Sequence, residues 1–242
     1  MLSNPRPSPH AAASAPVMFL VDVDNTLFDN DRFTDDLTVQ LDQCFGETER
    51  KRYWALYEAL RDEMGYADYL GTLQRFRLGL ESDPALLSMS AYLLNYPFAD
   101  HLYPQALAAI THLQTLGSAA ILSDGDIVFQ PHKVICSGLW QAFHANVLIY
   151  THKQHMLEPM QQRYPAAHYV IVDDKPNLLD AMKQVLGERL TTVFVDQGHY
   201  AAAASEELRT GADMRIACIA DLREHKLDDF LHAASPSTAS AD

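Results

Sequence analysis

The chain has 242 residues, enough for one large domain or for a core domain with a modest insert. With 48% hydrophobic and 21% charged residues, it has the composition of a globular protein with a sizeable buried core. A formal net charge of −14 argues against nucleic acid and anionic membranes as partners, and an enzyme this acidic acting on an anionic substrate needs local positive charge, most simply from a bound divalent cation.

Residues 1–16 are rich in Pro, Ser and Ala and lack the charged start and apolar centre of a secretory signal. They read as a disordered leader, and the small, polar residues 233–242 read as a disordered tail. No apolar run is long enough to span a bilayer. Cys44, Cys136 and Cys218 are far apart and form no C-x-x-C pair. They are expected to be three small buried hydrophobes in a reducing compartment, not a disulfide framework. The expectation is a cytoplasmic protein.

In chain order, the first apolar run is residues 17–23, which ends in the acid pair Asp22 and Asp24. Residues 30–100 contain no convincing strand. Phe33, Leu37, Leu41 and Phe45 recur every four residues, and Gly46 follows as a stop. Tyr53, Leu56, Tyr57, Leu60 and Met64 form a second helical stripe, with Tyr53, Trp54 and Tyr57 expected to pack inside this unit. Leu73, Phe76 and Leu80 suggest a third helix, and Asp83-Pro84 can open a fourth as N-cap and first residue. A helix from Pro104 to Gly117 precedes an apolar run at 119–122, and further runs follow at 147–150, 169–172 and 192–195. A helix between Pro176 and Gly187 carries Leu178, Leu179, Met182, Val185 and Leu186 at helical spacing.

Runs without alternation are expected where both faces of a sheet are covered, and strands alternating with helices imply a parallel, doubly wound sheet. The fold expected is therefore α/β, a three-layer doubly wound parallel sheet with an inserted all-helical cap. The core takes residues 17–29 and 101–232, and the cap takes residues 30–100. A helical unit inserted just after a site-bearing strand is well placed to act as a lid.

In such sheets ligands sit at the carboxyl ends of the strands, and four of the five predicted strand ends carry polar chemistry. Asp22 and Asp24, two apart on extended chain, point the same way and cannot both stay ionised cheaply without a cation or a shared proton. Ser123, with Asp124 and Gly125, offers a hydroxyl and turn amides to phosphate oxygens. Lys153 follows the third strand, and Asp173-Asp174 follow the fourth just before a helix start. Converging carboxylates from two strand ends make an oxygen-ligand site for a hard cation. His152, His155, His132 and His144 match no zinc spacing and are read as surface or structural. Arg32, Arg75 and Arg77 are read as solvated or paired.

The order acid pair, hydroxyl, lysine, acid pair resembles the haloacid dehalogenase-like hydrolase superfamily, from Val17 to about Asp196. Asp22 to Thr26 matches its D-x-D-x-T motif, Ser123 the second motif, Lys153 the third and Asp173-Asp174 the fourth. Leu102-Tyr103-Pro104 also resembles the family, and the position of the insert implies the helical-cap subclass. Two positions depart from the family pattern: Gln154 stands where many members have proline, and Asp173 where glycine often stands.

The resemblance implies a Mg²⁺-dependent phosphatase acting on a small phosphate monoester. Asp22 would be the nucleophile and Asp24 the acid and base. Ser123, Asp124, Gly125 and Lys153 would hold phosphate. Asp22, the Asp24 carbonyl, and Asp174 or Asp173 would hold Mg²⁺. Alternatives on the same core are a phosphomutase, a 2-haloacid dehalogenase or a non-catalytic binding protein. Asp24 weighs against the dehalogenase, because halide leaves without protonation.

Overall fold

The computed structural model describes residues 15–233, so most of the expected leader and tail lies outside the described residues. Ala15 and Pro16, assigned to the leader on composition, instead open the first strand, because Ala15 pairs with Ala166 of a neighbouring strand.

Six strands form one parallel sheet in the order β3-β2-β1-β4-β5-β6. They are β1 (Ala15–Val21), β2 (Ser118–Asp124), β3 (Val147–Tyr150), β4 (Ala166–Asp173), β5 (Leu190–Val195) and β6 (Met214–Ile216). The five expected strands are all present. The sixth is a three-residue edge strand with exposed Arg215 at its centre, too short and too polar to carry an apolar signal.

Side-chain alternation divides the sheet into two buried faces. Phe19, Val21, Ile121, Val172 and Val193 point to one face, and Met18, Leu20, Ala120, Leu122 and Ile171 to the other. Among the helices, α1 (Asn30–Met64), α2 (Tyr69–Phe76) and α3 (Ala85–Leu94) lie in sequence between β1 and the next βα unit. They are followed by α4 (Ala106–Leu116), α5 (Phe129–Cys136), α6 (Leu139–Ala142), α7 (Leu157–Arg163), α8 (Pro176–Leu186), α9 (Gly198–Ala203), α10 (Glu206–Thr210) and α11 (Leu227–Ala233). The α4 and α11 side chains cover the first face, with Phe230 edge-on to Phe19 at 5.3 Å. Leu157 and Met160 of α7 and Leu179 and Met182 of α8 cover the second. No helix among the described residues is long and apolar enough to cross a membrane.

The segment after β1 is helical, as its stripes predict. Gly46 interrupts α1 with a non-helical backbone at φ 79°, so the two expected helices run on across a kink. The first residue of α3 is Ala85, one later than expected, with Asp83 Oδ1 accepting its N–H at 2.9 Å. The chain's exit into this segment and its return run side by side, with Phe28 bridging to Leu102 and Tyr103 N–H donating to Leu27 O at 2.9 Å.

An aromatic cluster ties the helical segment to α5. Phe33 of α1 lies 5.0 Å from Tyr69, 4.9 Å from Tyr96 and 5.9 Å from Phe129 between ring centroids. Tyr53 and Tyr57 are buried, and Trp54 is packed against the same cluster. The cysteines are free, but none is buried: Cys136 is exposed, and Cys44 and Cys218 are half-buried. The expectation of three core hydrophobes is corrected here. Cys136 ends the short helix α5 on its outer side, beside the His132 ring, and the Cys218 Sγ donates to Asp221 Oδ1 at 3.2 Å at a helix start.

Candidate active site

The strand order reverses at β1: the chain moves outward to β2 and β3, then returns to β4 on the other side of β1. The carboxyl ends of β1, β2 and β4 therefore meet at a topological switch point, where open α/β sheets bind ligands. The register sets the levels. Val21 pairs with Val172, so Asp22 and Asp173 leave the sheet side by side, and Asp22 N–H donates to Val172 O at 3.0 Å.

Asp22, Asp173 and Asp174 are buried, and each offers an oxygen within 4.8 Å of the others. Lys153 enters this group from beyond β3. Its Nζ donates to Asp22 Oδ1 at 2.5 Å and to Leu122 O at 3.2 Å, and lies 2.6 Å from Asp173 Oδ2. Burial alone would lower the lysine's pKa, but Asp173 and Asp22 outweigh it and hold the ammonium above its usual range. The same balance acts on Asp22: burial pushes its carboxyl up, and Lys153 and Lys175 bring it below the ordinary value. Asp174 differs. Neither of its oxygens has a hydrogen-bond partner, and Lys175 Nζ stands off at 3.9 Å. Burial, with Asp173 and Asp22 adding to it against Lys175, pushes its carboxyl up to about 8.

Asp24 stands outside this cluster. Its Oδ1 accepts from Lys133 Nζ at 2.6 Å and its Oδ2 from Gln130 Nε2 at 3.2 Å, and it lines the adjoining cavity. The two crowded carboxylates expected at the end of β1 thus each have a lysine of their own, Lys153 for Asp22 and Lys133 for Asp24. Asn25 turns the chain at φ 59°, and its Oδ1 accepts the N–H groups of Asn30 and Asp31 at the start of α1. It is the Asx-type turn residue of the motif. Thr26 is buried, and its Oγ1 has no partner.

Ser123 is buried at the end of β2, its Oγ accepting from Gln130 Nε2 at 3.0 Å. Asp124 Oδ1 accepts the Lys153 N–H at 2.7 Å, fixing the lysine's loop. The Gly125 N–H donates to Tyr150 O at 2.9 Å, so it is committed to the sheet. Gly125 has φ 157°, and a Cβ there would come within 2.8 Å of Gln130 Cβ, so glycine lets α5 close over the site.

A cavity of about 590 Å³ opens above these residues between the sheet edge and the helical segment. Asp24, Asp124 and Lys175 form its floor, Trp54, Tyr57 and Tyr69 line it from α1 and α2, and His199 and Tyr200 line it from α9. Its arginine is Arg61, which donates to the Tyr200 hydroxyl. Arg75 and Arg77 instead bond Glu63 and Gln74 at the surface. Of the four histidines read as surface or structural, His152 lines the cavity.

Sequence reasoning missed Lys133, Gln130 and Lys175. Lys175 had a signal, since it follows the acid pair directly. Lys133 and Gln130 had none, because a short helix with mixed polarity does not reveal what its polar side chains meet.

The solved structures this chain resembles carry the same architecture. A haloacid dehalogenase-like hydrolase from Burkholderia xenovorans is 50% identical, superposes with a TM-score of 0.80, and the match covers 87% of this chain and 99% of that one. L-2-haloacid dehalogenase from Xanthobacter autotrophicus is 18% identical, with a TM-score of 0.55 and coverage of 86% and 96%. CbbY from Rhodobacter sphaeroides, solved in complex with phosphate, is 16% identical, with a TM-score of 0.55 and coverage of 88% and 98%. No family model matches the chain, and no curated protein does. The 50% identity over nearly the whole of the Burkholderia chain places this protein, an α/β fold with a helical insert, in the haloacid dehalogenase-like hydrolase family.

Proposed function

We propose that the chain is a Mg²⁺-dependent phosphatase that hydrolyses a small phosphate monoester through an aspartyl-phosphate on Asp22. The observation that carries this reading is the state of the three-carboxylate cluster. Lys153 occupies Asp22 Oδ1 and lies against Asp173, while Asp22 Oδ2 and both oxygens of Asp174 are buried without partners. Buried carboxylate oxygens are normally satisfied, and a hard cation is the partner that fits an all-oxygen set. Asp22 and Asp174, with the main-chain carbonyl of Asp24, would hold Mg²⁺. When bound, Mg²⁺ supplies charge that offsets repulsion between an anionic ester and Asp22.

The chain's own residues account for the rest. An Asp22 oxygen forms the new O–P bond as the ester P–O bond breaks, and the leaving oxygen takes the proton of the Asp24 carboxyl. Water then attacks phosphorus, Asp24 takes its proton, and the O–P bond to Asp22 breaks to release phosphate. Lys153 and Ser123 would hold the transferring oxygens. The aromatic walls of the cavity suit a small organic ester. Asp24 also favours this reading over dehalogenation, since a halide needs no proton on leaving.

The test is release of phosphate from a panel of small esters, with Mg²⁺ and with EDTA, beside Asp22→Asn. Metal-dependent release that the substitution abolishes is expected. Equal release in EDTA or in the variant would overturn the mechanism, and chloride release from 2-chloropropionate without metal would replace it with the dehalogenase.

A further inference from the structure

The second half of α1 presents Trp54, Tyr57, Glu58, Arg61 and Gly65 to the cavity, a stripe at helical spacing. Of these five, Arg61 alone is cationic. From α9 comes Tyr200, whose hydroxyl accepts from Arg61 Nη2. The Tyr200 ring is held on three sides: Arg61 Cζ lies 6.0 Å from its centroid, Lys175 Nζ 5.2 Å and the His199 ring 4.0 Å. His199 is fixed in turn, with its backbone N–H and its Nδ1 on the two oxygens of Asp31 at 2.7 and 2.5 Å. Lys175 Nζ is 3.9 Å from Asp174 Oδ1, so Arg61 stands one tyrosine ring beyond a lysine that borders the carboxylate cluster.

Arg61 and Tyr200 together have donors to spare and lack an acceptor. A guanidinium carries five N–H groups, and the Tyr200 hydroxyl takes one of them. Arg61 Nη1 comes only within 3.5 Å of Glu58 Oε2, beyond a good N–H···O distance, and that glutamate side chain is 59% exposed, so the pair contributes little. Because the Tyr200 oxygen accepts from Arg61, its own proton is free to donate. A wall of this kind suits a ligand group that only accepts, and the planar fork of a guanidinium matches a carboxylate in two parallel bonds. Charge favours a carboxylate over a second phosphate. The cavity is also lined by Asp24, Glu58 and Asp124. Against these acids a phosphate brings about 1.5 to 2 negative charges, more than one guanidinium offsets, whereas a carboxylate brings a single charge.

We propose that Arg61, with the Tyr200 hydroxyl, seats a carboxylate carried by the leaving group, which makes the substrate class the phosphate monoesters of small hydroxy acids. The proposal rests on the phosphatase reading above and adds what the rest of the ester must carry. With phosphate at Asp22 and carboxylate at Arg61, the carbon skeleton lies in the cavity that Tyr57 and Tyr69 also line. The carboxylate does not react, so its contact is made in the ground state and the transition state alike, and its loss appears chiefly in KM.

The experiment measures kcat and KM of the full-length enzyme with Mg²⁺ on two matched pairs of esters, phosphoglycolate with 2-hydroxyethyl phosphate and 3-phosphoglycerate with glycerol 3-phosphate. Each pair differs by a carboxylate in place of a hydroxymethyl group. The wild type is expected to favour the acid member of at least one pair. In that pair Arg61→Met should lose about 10- to 100-fold in kcat/KM on the acid ester, mainly through KM, and the loss should be at least about tenfold greater than on the neutral partner. Arg61→Lys should recover part of the loss, since it restores the charge without the fork, and Tyr200→Phe should show a smaller loss of the same selectivity. Preference for the neutral member of both pairs, or equal losses within each pair, would overturn the proposal. Faster turnover of ethylene glycol bisphosphate than of either acid ester would replace the carboxylate with a second phosphate. Calorimetric titration with 3-phosphonopropionate and with propylphosphonate gives a readout independent of turnover. If the wild type releases phosphate from none of the esters, the phosphatase reading fails and the titrations decide the seat. Binding of 3-phosphonopropionate that Arg61→Met weakens about tenfold more than binding of propylphosphonate upholds it, whereas no binding, or equal weakening of the two, removes it.

Discussion

Asp173 and Asp174 are adjacent in sequence but have opposite surroundings: Lys153 Nζ lies 2.6 Å from Asp173 Oδ2, whereas neither oxygen of Asp174 finds a hydrogen-bond partner. The end of β4 turns one carboxylate toward the lysine and leaves the next facing Asp22. The sequence left open which of the two would meet a metal, and this asymmetry assigns that part to Asp174 within the proposed mechanism.

Magnesium binding should therefore depend on Asp174 far more than on Asp173. In calorimetric titrations, Asp174→Asn is expected to lose detectable Mg²⁺ binding, while Asp173→Asn retains it with weakened affinity. Equal retention by both variants would reject the assignment.

A pH dependence follows from the same carboxyl. In the metal-free protein Asp174 is raised to about 8, above its ordinary value of 3.8. The folded state then keeps a proton that the unfolded chain has released, so this group's stabilising contribution is lost as pH rises from about 4 towards 8. Mg²⁺ must displace that proton, so its affinity should rise over the upper part of the same window. Melts in EDTA should show Tm falling from pH 6 to pH 8, with a larger Mg²⁺-induced rise in Tm at pH 8. Asp174→Asn should flatten both trends, and unchanged trends in that variant would locate the proton elsewhere.

Lys153 bridges two buried carboxylates, so its removal should be felt even without substrate. Lys153→Met leaves Asp22 and Asp173 buried and uncompensated, which typically costs about 3–5 kcal/mol. Urea unfolding in EDTA should record a loss of that order, with Mg²⁺ restoring part of it. Turnover should fall by about 100- to 1,000-fold, as when one oxyanion contact is removed. A variant as stable as wild type in EDTA would show that the bridge is not an energetic element.

Much of this site was legible because a parallel sheet concentrates strand ends on one edge. Asp22, Ser123, Lys153 and Asp173 each follow an apolar run, so their convergence follows from topology alone. The short strand Met214–Ile216 was not legible, since its three residues include an exposed arginine and have no buried alternation. The partners of Asp24 were hidden for a different reason. Lys133 is 109 residues away in sequence, and helical spacing tells only that it faces inward, not that a carboxylate waits there. Gly125 was expected to offer its amide to phosphate. The register with β3 instead gives that amide to Tyr150, a commitment that only the paired strands reveal.

Gly198 offers a test of how α9 meets the motif loop. Its φ of 74° already disfavours any side chain, and a Cβ there would come within 2.5 Å of Asn25 Cβ and Cγ. Asn25 in turn holds the start of α1 and bonds Asp31 at 2.9 Å. Gly198→Ala is expected to destabilise by about 1–3 kcal/mol and to raise KM by displacing His199 and Tyr200 from the cavity wall. Unchanged Tm and KM would mean the loop absorbs the methyl group.

The aromatic cluster under the helical segment should behave as one packed unit. Phe33 is fully buried and meets Phe28, Tyr69, Tyr96, Phe98 and Phe129. Phe33→Ala removes a ring that joins α1, α2 and α5, and should cost about 3–5 kcal/mol in urea unfolding with an unchanged m value. Leu87, 77% exposed on α3, provides the control, and Leu87→Ala should stay within about 0.5 kcal/mol. Because Phe33 also walls in Lys133, the cavity left by Phe33→Ala should loosen the seat of Asp24 and lower kcat. The loss should exceed that caused by an equally destabilising substitution on the far face of the sheet, such as Met182→Ala. Equal losses of kcat in the two variants would show that Phe33 serves packing alone.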